Sequence, residues 1–431
     1  MLGDGLAVVG SNSADTKCCR YGIEFCVVAP LDALSAHVAT DIAVLVEEQN
    51  PRSLKSPQPI SFTETLNTST DIALGVTIPI EVNDALNQRY HIVDKLGQGG
   101  YSTIWLARDQ ELSKYVAIKV GTADQVSKES EILLKLAENP TKQLSGHLIT
   151  QVLDHFTLHG PNGTHSCIVT APARCSVAEA IKTSRQISFQ PDVARALAAQ
   201  LIMATAYDHQ AGFVHGDPYP VTRIDGQPIT SPSVPKNVYT PNWLGKPSDE
   251  VLLPEARLLL SDFGTAFNPS QETRLLSYTH LQNRPPEAVL DSTKPLTFSS
   301  DIWSLGLMVW ECMGSGPFMS GFLFDENEVI ADQVDALGSL PHEWWEKWET
   351  RTTGGIETWP LQRRFDLTVQ RGKKTEKLDD EESRAFLNMI KGVLRFRPEE
   401  RMTADQVLRS DWMRKWALPL AEKAWERKLL D

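Results

Sequence analysis

The sequence predicts an α+β fold with two unlike lobes: a small antiparallel β-sheet lobe with one helix, and a larger, mainly helical lobe. Strand-like runs cover residues 91–96, 102–107, 114–120 and 167–170. Apolar residues at helical spacing cover residues 124–136, 192–211, 300–313, 380–394 and 403–412. Because the strands come early and most helices follow them, we expect each class to form its own layer of one protein.

Length and composition agree with this architecture and narrow the function. A chain of 431 residues with 41% hydrophobic content can bury the core of a two-lobed enzyme and still carry an extension. The formal net charge is -13, and Lys and Arg form no long basic run. A direct nucleic-acid partner is therefore not expected.

Cysteine usage and the N-terminal stretch predict a cytoplasmic or nuclear protein. The six cysteines have a spacing that fits neither a zinc site nor a disulfide framework, which indicates reduced thiols. The most apolar N-terminal stretch, residues 25–46, contains Asp32, His37 and Asp41, so we do not expect it to span a membrane. The first residues also lack the basic and apolar regions of a secretory signal.

Changes in composition divide the chain into four segments. Residues 1–76 show no sustained period and are partly rich in Ser, Thr, Pro and Asn, so we expect a poorly ordered N-terminal extension. The predicted small lobe covers residues 77–170 and the predicted large lobe residues 171–419. Residues 420–431 are predicted to be a C-terminal tail.

A glycine-rich motif lies between the first two strand-like runs. Residues 97–102 read Gly-Gln-Gly-Gly-Tyr-Ser. Glycines allow a backbone to approach phosphate oxygens closely, although a hairpin turn without a ligand is an equally good interpretation of this motif alone. A dinucleotide-binding fold would need a helix directly after the glycines, whereas residues 103–106 read as strand.

Lys119, near the end of the third strand-like run, strengthens the nucleotide interpretation. A lysine in this position is usually a surface residue whose stem packs on apolar neighbours. After a glycine-rich hairpin, however, its ammonium group can reach nucleotide phosphates. Such a lysine needs a carboxylate partner, and Glu129 and Glu131 on the next predicted helix are the candidates. We favour Glu129 because of the spacing to Ile132 and Leu133 after it.

Two aspartates follow apolar runs later in the chain. Asp217 ends a His-Gly-Asp sequence, where a carboxylate can accept the proton of a substrate hydroxyl. Asp262 opens an Asp-Phe-Gly sequence after a buried strand, which suits a Mg²⁺ ligand because Mg²⁺ takes few carboxylates plus phosphate oxygens. Either motif alone could be an ordinary turn, but four such features in this order argue against coincidence.

The order of these motifs resembles the eukaryotic protein-kinase family over residues 90–419. The Pro-Pro-Glu sequence ending at Glu287 is similar to the motif that closes the family's activation segment. Asp301 is similar to the aspartate that fixes the catalytic-loop backbone, and Arg401 to the arginine that pairs with the Pro-Pro-Glu glutamate. Small-molecule kinases also use a His-Gly-Asp loop, but they generally lack these later parts.

Within that family, the sequence resembles the SR-protein-specific serine/threonine kinases in a fungal form. The residues that carry this resemblance are 86–90, 96–108, 214–217, 221–226, 284–287 and 341–345. The resemblance implies the two-lobed protein-kinase fold, ATP and Mg²⁺ as cofactors, and transfer of the γ-phosphate to protein serine. It also implies Arg/Ser-rich splicing-type proteins as substrates, and we expect a monomer.

The resemblance also implies a set of site residues. The catalytic residues are Lys119, Glu129 and Asp217, and the metal ligand is Asp262. The residues implied to contact ATP are Leu96, Gly97, Gln98, Gly99, Gly100, Ser102, Ile104, Ala117, Lys119, Thr170 and Pro172. Thr170 stands where the family often has a bulkier residue, so the pocket behind the nucleotide should be roomier.

The family pattern breaks directly after Asp217. The family carries a metal-ligating Asn five residues further on, whereas this chain has Thr222 there, and a block of the pattern is missing. The gap has two alternative explanations: either the protein has lost this segment, or an exon boundary was misplaced when the sequence was translated. Removing one electrostatic stabiliser of a transition state costs about 10²–10³-fold in rate. The alternative function is therefore a catalytically impaired pseudokinase that acts as a binding scaffold.

Overall fold

The computed structural model describes most of the chain after residue 76. The described residues are 77–99, 101–123, 128–138, 144–216, 241–319, 325–348, 359–370 and 377–426, with the backbone of residues 25–27. The strands are β1 (Phe25–Val27), β2 (Ala85–Leu86), β3 (Tyr90–Gln98), β4 (Ser102–Asp109), β5 (Lys114–Gly121), β6 (Val152–Gly160), β7 (Gly163–Thr170), β8 (Cys175–Ser176) and β9 (Leu258–Leu260).

The helices lie mainly in the second half of the chain. They are α1 (Glu129–Ala137), α2 (Val177–Thr183), α3 (Pro191–Gln210), α4 (Pro286–Leu290), α5 (Phe298–Met313), α6 (Glu326–Leu337), α7 (His342–Lys347), α8 (Leu361–Thr368), α9 (Asp380–Val393), α10 (Ala404–Leu408) and α11 (Leu418–Glu426). None of the described helices is long and apolar enough to cross a membrane.

The small lobe is an antiparallel sheet with one helix, as the sequence predicts. Its strand order is β2-β3-β4-β5-β7-β6, so β5 lies between the glycine-rich hairpin and β7. Tyr90, Ile92 and Ile118 are fully buried in its core. Helix α1 begins at Glu129, and the earlier part of the predicted helix, residues 124–127, lies outside the described residues. Strand β6 was not predicted.

The large lobe is built around α3 and α5. Helix α3 is rich in alanine and buried on most sides, which lets neighbouring helices approach it closely. Trp303 and Trp310 of α5 are completely buried in the same core, which also contains Phe386 and Trp412. The N-cap of α5 is Thr297, whose hydroxyl accepts a hydrogen bond from a backbone amide of the first turn.

The end of the chain departs from two expectations. The predicted helix at 403–412 is shorter in the structure, where α10 covers Ala404–Leu408 and a π-helical stretch at Met413–Ala417 then leads into α11. Helix α11 passes through the boundary predicted at residue 419. Its Ala421 and Ala424 are fully buried, and the Trp425 indole donates a hydrogen bond to Gln200 of α3 at 3.1 Å.

A second, three-stranded sheet lies in the large lobe below the nucleotide-binding region. Its order is β8-β1-β9, so a strand from the N-terminal extension occupies the central position. Cys26 of β1 pairs with Ser176 on one side and with Leu259 on the other. The rest of the extension lies outside the described residues, and the expectation that it is poorly ordered stays a prediction. Strand β9 ends two residues before Asp262, so this sheet supports the second aspartate motif.

Candidate active site

The glycine-rich motif forms the turn between β3 and β4. Gly97 pairs with Ile104 and Gln98 with Thr103, and the Gly99 amide donates to the Ser102 carbonyl at 2.9 Å. A Cβ at Gly99 would meet no heavy atom within 4 Å, and one at Gly97 would make only ordinary contacts. Packing inside the protein therefore does not require these glycines, which favours a role toward a ligand. Gly100 lies outside the described residues.

Lys119 lies between two carboxylates at the centre of the cleft. Its Nζ atom is 2.8 Å from Oε2 of Glu129 and 2.5 Å from Oδ1 of Asp262. The other candidate partner, Glu131, instead pairs with the exposed Lys135 at 2.7 Å on the surface of α1. The contact expected between Lys119 and Glu129 is thus present, and the structure adds Asp262 as a second partner.

The three side chains shift one another's ionisation. Burial disfavours the charged form of Lys119, but the charges of Asp262 and Glu129 outweigh it and raise the pKa of the ammonium group. Burial also opposes ionisation of Asp262, yet the Lys119 charge leaves the pKa of this carboxyl below its usual value. Burial, reinforced by the Asp262 charge, raises the pKa of Glu129. Lys119 therefore remains charged, with Asp262 as its ionised partner.

The backbone holds Asp262 in a conformation that aspartate rarely adopts. Its φ of 69° and ψ of 59° are left-handed, which costs a residue with a Cβ about 1 kcal/mol or more. Neighbouring contacts stabilise it: the amide of Phe263 donates to Oε1 of Glu129 at 3.1 Å, and the Phe263 ring is fully buried. Strain that is maintained in this way is typical of functional sites.

The segment before Asp217 is fixed by Asp301 of α5. Oδ2 of Asp301 accepts the backbone amide of His215 at 2.7 Å and the ring of His209 at 3.1 Å, while Oδ1 accepts the Gly216 amide at 3.4 Å. Asp301 therefore contacts the backbone that the resemblance assigns to it. Asp217 itself and Thr222 lie outside the described residues, so the roles assigned to this loop stay predictions.

Gly216 is required by the local geometry. Its φ is 61°, and a Cβ there would lie 2.8 Å from the carbonyl oxygen of Thr265. The guanidinium of Arg274 is also close and hydrogen-bonds that same carbonyl. The sequence identified Gly216 only as part of a motif, because neither the positive φ nor the approach of Thr265 can be read from neighbouring residues.

A buried ion pair ties the end of the Pro-Pro-Glu motif to the loop before α10. Arg401 makes two parallel contacts with Glu287, at 2.8 Å from Nη1 to Oε1 and 2.6 Å from Nη2 to Oε2. The Arg401 side chain is completely buried and also donates to three backbone carbonyls. The pairing predicted for these two residues is confirmed.

The remaining nucleotide-contact candidates lie on adjacent strands of the small lobe. Ala117 is buried and pairs with Thr170, so both lie where β5 and β7 meet. Leu96, Ser102 and Ile104 belong to the hairpin of β3 and β4, and Pro172 is buried just after β7. The side chain of Gln98 accepts a hydrogen bond from Lys95 at 2.6 Å. Nucleotide contact by each of these residues stays a prediction.

A divalent cation would find one suitable carboxylate among the described residues. They contain no cluster of three or more His, Cys, Asp and Glu side chains that could hold a metal ion alone. Mg²⁺ commonly takes one or two protein carboxylates and completes its shell with phosphate oxygens and water. Asp262 fits this donor set, because its side chain is 23% exposed and its pKa favours the ionised form.

Comparison with known proteins identifies the family. Residues 90–218 and 246–413 match the protein kinase domain. A serine/threonine protein kinase of Aspergillus fumigatus is 27% identical over 369 residues, which cover 79% of this chain and 88% of the relative. The serine/threonine-protein kinase spk-1 of Caenorhabditis elegans is 32% identical over 153 residues, or 34% of this chain and 15% of the relative. The protein kinase dsk1 of Schizosaccharomyces pombe is 31% identical over 154 residues, or 34% and 28%.

Proposed function

This chain belongs to the protein kinase family, and from that premise we propose that it is a serine/threonine kinase that transfers the γ-phosphate of ATP to protein serine. The observation that carries the proposal is the position of Lys119 between Glu129 and Asp262, below a glycine-rich hairpin. Phosphoryl transfer depends mainly on positioning and on electrostatic stabilisation of phosphate oxygens. A partly buried ammonium group that stays charged suits this requirement.

Each residue of the cleft has a proposed role. Glu129 orients Lys119, and Lys119 binds phosphate oxygens of the nucleotide as a point charge. Asp262 would hold Mg²⁺, which supplies neutralisation of phosphate charge when it is bound. Asp217 would accept the proton of the attacking serine hydroxyl. The backbone of residues 97–102 would cover the phosphates.

The substrate class rests on the sequence resemblance. The glycine-rich segment 96–108 and the segment 341–345 resemble those of SR-protein-specific kinases, so Arg/Ser-rich proteins are the proposed acceptors. The net charge of -13 is compatible with basic substrates. We further propose that the enzyme works as a monomer in the cytoplasm or nucleus.

A pseudokinase is the second candidate function. It is favoured by Thr222, which stands where the family's metal-ligating Asn is expected. Against it, Lys119, Glu129 and Asp262 are all in contact, and the buried Glu287–Arg401 pair is intact. A scaffold that binds no nucleotide would not need two carboxylates around a partly buried lysine, so the cluster argues against that form of pseudokinase. The kinase is the better-supported proposal because the relatives that this chain resembles are serine/threonine protein kinases.

The rise in melting temperature on adding Mg·ATP tests nucleotide binding. At 100 times the dissociation constant, a ligand adds about 2.7 kcal/mol of stability, which corresponds to a rise of roughly 4 °C for a domain of about 330 residues. Lys119→Ala should abolish the rise, whereas Lys135→Ala, which removes only a surface ion pair, should keep it. The comparison uses the rise within each variant, because Lys119→Ala also changes the melting temperature without ligand. An unchanged melting curve of the wild-type chain in millimolar Mg·ATP would refute the nucleotide role of Lys119.

A further inference from the structure

A short segment connects the two lobes at the edge of the cleft. We call residues 241–247 the interlobe strap. Its backbone amide at Asn242 donates to the carbonyl of Lys95 at 2.7 Å, and the Asn242 side chain donates to Oδ2 of Asp94 at 2.8 Å. Both acceptors belong to β3 of the small lobe. The two matches to the protein kinase domain leave out residues 219–245, so most of the strap lies outside the matched segments.

The other end of the strap is fixed to the large lobe. Lys246 donates to Glu255 at 2.6 Å, and the hydroxyl of Ser248, just after the strap, donates to the Ser188 carbonyl at 2.8 Å. Gly245 lies directly against Cys175 of β8, where an added Cβ would be 2.6 Å from the cysteine Cβ. The strap is therefore held on both sides of the cleft rather than being an unattached loop.

The small-lobe end of the strap contacts the strand that carries the glycine-rich turn. Lys95 accepts the strap's backbone hydrogen bond and is followed at once by Leu96 and Gly97. Its ammonium group donates to the side chain of Gln98 at 2.6 Å and lies over the Trp105 ring. A displacement of the strap would thus act on the backbone that faces the nucleotide phosphates.

We propose that the interlobe strap is a tether that limits opening of the two lobes and thereby controls nucleotide exchange. Asn242 of the strap makes both hydrogen bonds to β3, one from its side chain to the Asp94 carboxylate and one from its backbone amide to the Lys95 carbonyl. Movement of β3 away from the strap and the large lobe therefore has to break both bonds. Bonds to charged groups are stronger than neutral ones, which makes the Asn242–Asp94 contact the principal one. The effect on nucleotide exchange rests on the proposed function, whereas the tether itself does not.

Hydrogen exchange in the absence of nucleotide tests the tether. Asn242→Ala removes the side-chain bond, and Asn242→Pro removes the backbone donor as well. Backbone amides of residues 97–102 should exchange faster in the alanine variant and faster still in the proline variant. The matched control is Asn162→Ala, whose side chain donates to the Thr77 carbonyl within the small lobe and does not reach the large lobe. Exchange at 97–102 that is unchanged in both Asn242 variants would overturn the proposal.

Release of a fluorescent ADP analogue, followed by stopped flow, tests the functional consequence. Loss of one hydrogen bond to a charged group corresponds to roughly tenfold or more, so release should be at least about tenfold faster in Asn242→Ala and faster still in Asn242→Pro. Release within twofold of wild type in both variants would refute control of exchange. If wild-type protein binds no analogue at all, the proposed kinase function fails, and the hydrogen-exchange comparison still decides whether the tether exists.

Discussion

Asp208 provides a stability test that depends on one buried acid. It lies on α3 with 1% exposure, and within the described part of the chain neither carboxylate oxygen has a hydrogen-bond partner. Burial, reinforced by the charge of Asp301, raises the pKa of Asp208 well above its usual value. The group therefore stays protonated in the folded state at pH values where it ionises in the unfolded chain.

The sign of the pH effect follows from proton binding. Above pH ~4 the folded state holds a proton on Asp208 that the unfolded state has released, so the free energy of unfolding falls as pH rises, until the folded pKa is passed. Asp208→Asn keeps the shape of the side chain but cannot ionise. Each pH unit between the unfolded and the folded pKa lowers the free energy of unfolding of wild type by about 1.4 kcal/mol relative to the variant, which corresponds to roughly 2 °C in melting temperature for a domain of about 330 residues.

Differential scanning fluorimetry from pH 5 to pH 8 measures this effect. The Asp208→Asn variant should melt above wild type, and the difference should widen as pH rises. The control is Asp192→Asn on the same helix, because the Asp192 side chain is 62% exposed and pairs with Arg195 at 3.3 Å. Its difference from wild type should stay within about 1 kcal/mol at every pH. A difference for Asp208→Asn that is negative or does not change with pH would refute the reasoning.

Three further predictions concern the cleft and the segments around it. Arg401→Met leaves Glu287 buried without its partner, so denaturant titration should show a free energy of unfolding that is lower by about 3–5 kcal/mol. Adding Glu287→Gln to this variant should recover part of the loss. Arg274 is already paired with a carboxylate and stacked on an aromatic ring, so it is not expected to bind a phosphorylated residue of the activation segment, residues 262–287. Phosphatase treatment should therefore leave the phosphotransfer rate unchanged, whereas Arg274→Gln should lower it. A tenfold drop in rate after phosphatase treatment would contradict this prediction. Inserting an Asn-containing loop between Asp217 and Val221 should raise transfer to an Arg/Ser peptide by about 10²-fold or more, and equal rates would show that the missing Asn is unimportant.

The sequence predicts those parts of the fold that have a clear period or a specific partner. The strand-like runs at 102–107 and 114–120 became adjacent strands, because short apolar runs that contain β-branched residues favour the pleated, largely buried surface of a sheet. Glu129 could be selected over Glu131, since only one of the two faces the sheet from α1. The Glu287–Arg401 pair was predictable from the motifs because its geometry depends on elements that the whole family shares.

Other features depend on contacts between distant segments and left no local signal. Strand β1 is only three residues long, and both strands that it pairs with lie more than a hundred residues further along the chain, so the sequence shows no period there. The direct contact of Lys119 with Asp262 depends on the left-handed backbone at Asp262, which the sequence does not encode locally. The strap contact between Asn242 and Asp94 likewise appears only when both lobes are in place.

Transfer of labelled phosphate from γ-labelled ATP to a synthetic Arg/Ser peptide tests the central claim most directly. The assay compares the full chain with Asp262→Asn at saturating Mg·ATP, and mass spectrometry identifies the modified residue. We predict phosphoserine in the peptide at a rate clearly above that of the Asp262→Asn variant, because Asp262 is the proposed metal ligand beside Lys119. Incorporation no greater than in that variant, from a chain that binds Mg·ATP, would contradict the kinase proposal and support a nucleotide-binding scaffold.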